Sequence, residues 1–217
     1  MGTDPGGTPW DRFNHLKGVE RLGNRYLFLR HGRSEANERK IIASDPANAT
    51  DRFGLSPAGR REVEESIVRA RPSLGPDVLI CTSPFLRTRE SAALAAGLLG
   101  AAAPVPEDDL RERFCGEFEL TDSENYHRVW ERDAVDPAHT TWGAESACAI
   151  LERTTRLVRS LERRHAGRTI LLVTHCDPAM ILACGWTGGD LRAHFRQGSI
   201  RTGELRELDG MRAAGRR

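Results

Sequence analysis

Two histidines, two arginines and a glutamate, scattered through a chain of 217 residues, carry the side chains that moving a phosphoryl group requires. His31 stands in Arg30-His31-Gly32, directly after the apolar run Tyr26–Leu29, and His175 directly follows the apolar stretch that ends at Val173-Thr174. Arg87 comes just after Thr82-Ser83-Pro84. A phosphoryl transition state spreads its charge over three equatorial oxygens, and guanidiniums meet such an anion bidentately. A neutral imidazole can attack phosphorus. Gly32 lets the backbone turn and a ligand approach closely. A phosphate monoester also expels an alkoxide, which needs a proton; Glu112, in Leu110-Arg111-Glu112, is the candidate acid. Each residue alone has a plainer reading: a solvated histidine, a helix-capping histidine, a surface ion pair, a solvated acid. Their shared placement at strand ends is what argues for chemistry.

The elements that must position them follow from the pattern of apolar residues. Strands are predicted at Tyr26–Leu29, Asp77–Cys81, near Val105, at Arg168–Val173 and at Glu204–Leu208. Helices are predicted at Ser34–Lys40, from Ser56-Pro57 to about Arg71, over Pro84–Leu99, Ser123–Arg132 and Ala144–Arg164, over Pro178–Cys184 with Asp177 as N-cap, and at Asp190–Arg196. Strands alternating with helices predict an α/β fold, a three-layer α/β/α sandwich on a mostly parallel central sheet. Ligands in such folds bind beyond the carboxyl ends of the strands, where the candidate residues stand. The long connection 32–56 is expected to be functional. Residues 108–142 have weak periodicity and scattered aromatics, and read as a small inserted helical lobe over the site. Residues 1–21 are expected to be a flexible lead-in, 22–217 a single domain, and the tail 210–217 loose.

Composition narrows the function classes. Hydrophobic residues are 39%, enough for a sizeable core, and a formal net charge of +1 gives no global attraction to nucleic acid or an anionic membrane. No apolar run approaches the length of a membrane span, and the first residues lack the apolar segment of a signal peptide. Five cysteines, an odd number without a CxxC pair, argue against a disulfide framework or a zinc site and for a reducing, cytoplasmic setting. His175, Cys176 and Asp177 could be read as metal ligands, but three adjacent residues cannot easily face one ion. No metal and no cofactor are expected.

Several stretches together carry a family resemblance. Arg30-His31-Gly32-Arg33-Ser34-Glu35-Ala36-Asn37 resembles the RHGxSxxN signature of the histidine phosphatase superfamily, which includes the cofactor-dependent phosphoglycerate mutases. Leu55-Ser56-Pro57-Ala58-Gly59, Thr82-Ser83-Pro84-Phe85-Leu86-Arg87-Thr88, the acid-bearing stretch Leu110–Glu119, Gly143-Ala144-Glu145-Ser146 with Arg153, and Val173-Thr174-His175 follow in the order of that family. The resemblance implies that His31 attacks phosphorus and becomes a phosphohistidine. Arg30, Arg87 and His175 then hold the phosphoryl oxygens, with Ser34, Asn37 and Phe114 as further substrate contacts. Glu112 protonates the leaving oxygen and later deprotonates water, so its pKa should be raised. The other ring nitrogen of His31 should donate to a backbone carbonyl.

The chain departs from the mutases in two places. Only 33 positions separate Glu112 from Glu145, where mutases resemble one another in a much longer insertion. Cys115 also stands where mutases carry a substrate-contacting tyrosine. Both differences favour water as the acceptor, and hence a phosphomonoesterase. The alternatives are a mutase and a non-catalytic phospho-ligand module; the presence of both His31 and Glu112 speaks against the module. The expected partner is a phosphorylated small molecule or a phosphoprotein, and the expected assembly a monomer or homodimer.

Overall fold

In the computed structural model, which describes residues 7–209, the apolar runs are uninterrupted because the strands they form are covered on both faces. In β1 (Arg25–Arg30), Tyr26 and Phe28 point to one side, and Leu27 and Leu29 to the other. A short α1 (Glu35–Glu38) and α2 (Pro46–Ala49) follow, then α3 (Pro57–Leu74), capped by the Ser56 hydroxyl. β2 (Leu79–Thr82), α4 (Leu86–Leu99) and β3 (Val105–Pro106) complete the first half. α5 (Asn125–Asp133) belongs to the lobe; α6 (Ala147–Arg164), β4 (Thr169–Thr174), α7 (Cys176–Thr187) and β5 (Leu205–Glu207) close the fold.

The sheet order is β3-β2-β4-β1-β5. β5 runs antiparallel to β1, and the other pairs are parallel. α3 and α4 pack on the face presenting Leu27, Leu29, Leu171 and Val173; α6 and α7 pack on the face presenting Tyr26, Phe28, Ile170 and Leu172. The three-layer expectation therefore holds. Register does the positioning: Arg30 pairs with Thr174, so His31 and His175, the next residues of neighbouring parallel strands, emerge side by side.

Several expectations are corrected. Residues 8–21 of the supposed flexible lead-in pack against the domain: Leu16 is buried, Trp10 and Phe13 lie on the α6–α7 core, and the Asn14 amide donates to the Gly185 carbonyl at 2.8 Å. Residues 1–6 of that lead-in, and the tail 210–217, lie outside the described residues. Pro84 does not start a helix; α4 begins two residues later, with Phe85 at the N-cap, while the Ser83 hydroxyl meets the His175 ring and accepts from the Phe85 N–H at 3.4 Å. Asp177 is not an N-cap either, since His175 holds that position and Asp177 falls in the first turn of α7.

Two other segments of the chain pack onto the inserted lobe. Ile42 from the 32–56 connection shares a small core with Cys115, Phe118, Val129 and Ala144, and Ser44 bonds Glu119. From the far end of the chain, Phe195 stacks on Trp130 of α5.

Candidate active site

Beyond the carboxyl ends of β1 and β4 lies a cavity of about 230 Å³, lined by Arg30, His31, Ser34, Asn37, Arg87 and Glu112 on its inner side. Its outer wall includes Tyr126, Trp130, Asp177 and Ser199.

His31 is buried, and its Nδ1 lies 2.7 Å from the Gly32 carbonyl. A carbonyl only accepts, so Nδ1 carries the proton and Nε2 keeps its lone pair. Arg87 Nε donates to that Nε2 at 3.2 Å. Burial, then the Arg87 and Arg30 charges, hold the His31 pKa well below its ordinary value. The imidazole is neutral and its free nitrogen faces the arginines. Backbone closeness at the tripeptide has a steric cause: a Cβ on Gly32 would collide with the Gly59 carbonyl of α3.

His175 lies beneath His31, with ring centroids 5.1 Å apart. Its Nε2 is 2.9 Å from the Ser83 hydroxyl. Its Nδ1 is 3.7 Å from Glu112 Oε2 and has no hydrogen-bond partner among the described residues. Arg87 spends Nη2 on the Ala43 carbonyl at 3.0 Å, and Arg30 spends Nη1 on the Ile200 carbonyl at 2.6 Å. Arg87 Nη1 and Arg30 Nε remain buried without a partner among the described residues. Three unpaired buried donors around one reactive nitrogen are costly unless an oxyanion meets them.

Ser34 and Asn37 line the cavity but also hold each other. The Asn37 side-chain oxygen accepts from the Ser34 N–H and hydroxyl, both at 3.0 Å, as the capping box of α1. That bonding leaves the Asn37 amide N–H groups for a ligand and uses up the Ser34 hydroxyl proton. Phe114, expected as a substrate contact, is not among the cavity-lining residues described; its carbonyl accepts from the Glu145 N–H at 2.8 Å, and so it braces the acid loop.

Glu112 is buried, with Oε1 accepting the Arg113 N–H at 2.9 Å. Burial, then the nearby Asp177 carboxylate, raises its pKa to about 7, against the opposing pull of Arg87. The loop bearing it is tied down from several sides. Thr174 Oγ1 donates to the Leu110 carbonyl at 2.7 Å, and Arg153 reaches the Asp109 carbonyl at 2.6 Å while pairing with Glu145. Glu145 and Arg153, matched in sequence only as a helix start, thus serve to hold the acid.

Sequence reasoning missed the network behind Glu112. Arg113, fully buried, is held by Asp133 through bonds of 2.5 and 2.9 Å, and Asp133 also meets His139 and His194 at 3.1 Å each. Burial alone would raise the Asp133 pKa, but the bonds from Arg113 and His194 carry it below the ordinary value, so it is ionised. No motif advertises this cluster, since its members come from three segments. Asp133→Ala would take from the buried Arg113 guanidinium its two carboxylate bonds, leaving Asp177 at 3.6 Å as its nearest carboxylate, and should cost about 3–5 kcal/mol of stability. Urea denaturation reads this directly; a loss under about 1 kcal/mol would show that Arg113 finds another partner.

Among the described residues, no three His, Cys, Asp or Glu side chains gather as a metal-binding group, and all five cysteines are free thiols. No helix among them is long and apolar enough to cross a membrane.

Known proteins share this arrangement of elements. The bifunctional protein Rv2228c of Mycobacterium tuberculosis is 32% identical over 173 residues, which are 76% of this chain and 44% of that one. The chain thus spans under half the length of that relative. Among solved structures, the mycobacterial glucosyl-3-phosphoglycerate phosphatase Rv2419c, complexed with VO3, superposes with a TM-score of 0.72 at 18% identity, over 84% of this chain and 90% of the other. A phosphoserine phosphatase from Entamoeba histolytica, in complex with phosphoserine, superposes with a TM-score of 0.69 at 16% identity, over 85% and 89%. Residues 26–214 match the family described as the histidine phosphatase superfamily, branch 1. That match takes in both strand-end histidines, both arginines and the acid, and the chain belongs to the histidine phosphatase superfamily.

Proposed function

We propose that the protein is a metal-independent phosphomonoester hydrolase acting through a phosphohistidine on His31. The observation that carries this reading is the neutral His31 Nε2 set among the unpaired buried donors of Arg30, Arg87 and His175. In the first step the Nε2 lone pair attacks phosphorus, and the bond from phosphorus to the ester oxygen breaks. The departing oxygen takes the proton of Glu112. Arg87 Nε, bonded to Nε2 beforehand, turns its donors to the phosphoryl oxygens, which now carry the charge. In the second step Glu112, now ionised, accepts a proton from water as that water attacks phosphorus. The phosphorus–nitrogen bond breaks and phosphate leaves. Burial of Glu112 suits both steps, because a pKa of about 7 lets the carboxyl give and regain a proton near neutrality.

Hydrolysis is favoured over phosphoryl return to a second substrate by the short cover. Only 33 positions separate Glu112 from Glu145. Cys115, standing where mutases have a tyrosine, is buried in the lobe core and does not line the cavity. Free thiols suit action in the cytoplasm.

The test is hydrolysis of p-nitrophenyl phosphate in excess chelator, run beside an assay for interconversion of 2- and 3-phosphoglycerate with 2,3-bisphosphoglycerate. Hydrolysis should persist and interconversion should be absent. Activity lost in chelator and restored by a divalent ion would overturn the metal-free mechanism, and robust interconversion would make the protein a mutase.

A further inference from the structure

Asp177 belongs to none of the steps above, yet it lines the cavity on the leaving-group side, with Glu112, Tyr126 and Trp130. Its carboxylate is nearly buried, with 6% of the side chain exposed. Both of its oxygens take the Trp130 indole N–H, at 3.2 and 3.1 Å. That indole is clamped between Tyr126, at 5.8 Å and 18°, and Phe195, at 6.2 Å and 6°, so its N–H is fixed on the carboxylate. The nearest cation is Arg113, at 3.6 Å, and its shorter bonds go to Asp133. Asp177 therefore has one neutral donor and a share in a guanidinium already engaged.

The charges of the cavity do not balance without a further cation. Its cationic side chains, Arg30 and Arg87, stand at the phosphoryl end and match a phosphate dianion. With Glu112 protonated for its first step, the Asp177 carboxylate is left in a confined space beside the ester oxygen. A carboxylate offers about four lone-pair sites, and a cation from the cavity side can take those that Trp130 leaves. A neutral hydroxyl would satisfy a lone pair but not the charge. The aromatic wall of Tyr126 and Trp130 also favours a cation over a neutral group of the same size.

We propose that Asp177 recognises an ammonium group carried by the alcohol portion of the substrate, a few bonds from the ester oxygen. The substrate class is then a phosphomonoester of an amino alcohol, and Asp177 is its specificity-determining residue. This rests on the reading of the cavity as a phosphomonoester site.

The experiment measures binding and hydrolysis separately, with three probes of similar size: O-phosphoethanolamine, 2-hydroxyethyl phosphate and ethyl phosphate. Binding is measured by calorimetry on the His31→Ala chain, which cannot turn the probes over, and hydrolysis on the unaltered chain. O-phosphoethanolamine should bind about tenfold more tightly than ethyl phosphate, the worth of one charge-assisted bond. The ratio should collapse towards one when Asp177→Asn is added, because the amide still accepts from Trp130 but carries no charge. Should that second variant not fold, the ratio in the His31→Ala chain alone decides the matter. Equal binding of the ammonium and ethyl esters, tightest binding of the hydroxyl ester, or no binding of O-phosphoethanolamine would each overturn the proposal. Selective binding without hydrolysis by the unaltered chain would leave it standing and overturn the hydrolase reading instead.

Discussion

His31→Ala is expected to lower turnover of any phosphomonoester by at least about 10⁴-fold and to abolish the phosphoenzyme. The size of the effect comes from the loss of the reacting atom itself. His31 Nε2 is the one unprotonated ring nitrogen that the Gly32 carbonyl and Arg87 together hold ready, and no neighbouring group can replace it. His175 lies close, with its ring 5.1 Å away, but its Nε2 is bound to Ser83. Label transferred from a phosphorus-labelled ester should be stable in base and lost in acid, as a phosphoramidate is. The folded state of the variant is checked by near-ultraviolet circular dichroism. A folded His31→Ala chain that still accumulates acid-labile label would assign the nucleophile elsewhere.

Glu112→Gln should separate substrates by their leaving groups. For alkyl esters kcat/KM should fall about 10²–10⁴-fold, because an alkoxide leaves poorly without a proton. For p-nitrophenyl phosphate the first step should suffer much less, since its phenolate departs unprotonated. The pH dependence has a definite sign. The first step needs the protonated acid, and burial with the Asp177 charge raises the Glu112 pKa to about 7. For alkyl esters kcat/KM should therefore decline as pH rises through about 7. At the ordinary carboxyl value only about 0.3% of the group would be protonated at neutrality, and the decline would come more than two units earlier. On the acid side the requirement is a neutral His31, whose pKa burial and the Arg87 and Arg30 charges hold well below the ordinary imidazole value, so the acid limb should lie well below the usual imidazole range. Glu112→Gln should remove the decline near pH 7 and keep the acid limb. A profile that still falls near pH 7 in the variant would assign the proton to another group.

The candidate site residues were legible because each sits where a short sequence pattern ends. Apolar runs with both faces buried read directly as strands, and the residue after each run had to emerge at the carboxyl edge of a parallel sheet. Arg87 could be placed in a first helical turn even though the N-cap proved to be Phe85 rather than a residue of Thr82-Ser83-Pro84. The error there is informative. Ser-Pro predicts a helix start from local propensity, whereas the Ser83 hydroxyl meets the His175 ring and takes only the Phe85 N–H, and the helix starts beyond it. Likewise Asp177 before Pro178 read as a cap, whereas Trp130 and Arg113, distant in sequence, made it part of the cavity wall.

Local chemistry in the sequence determined the strands, most helices and the strand-end or helix-start positions of Arg30, His31, Arg87 and His175, because backbone propensity and periodicity are properties of neighbouring residues. The tertiary structure alone decided which lone pair of His31 is free, how far the Glu112 pKa rises, which residues close the cavity, and that residues 8–21 pack as part of the domain. Those depend on burial and on partners brought together from separate segments of the chain, and the desolvation and Coulomb energies that act between them have no counterpart in a linear pattern.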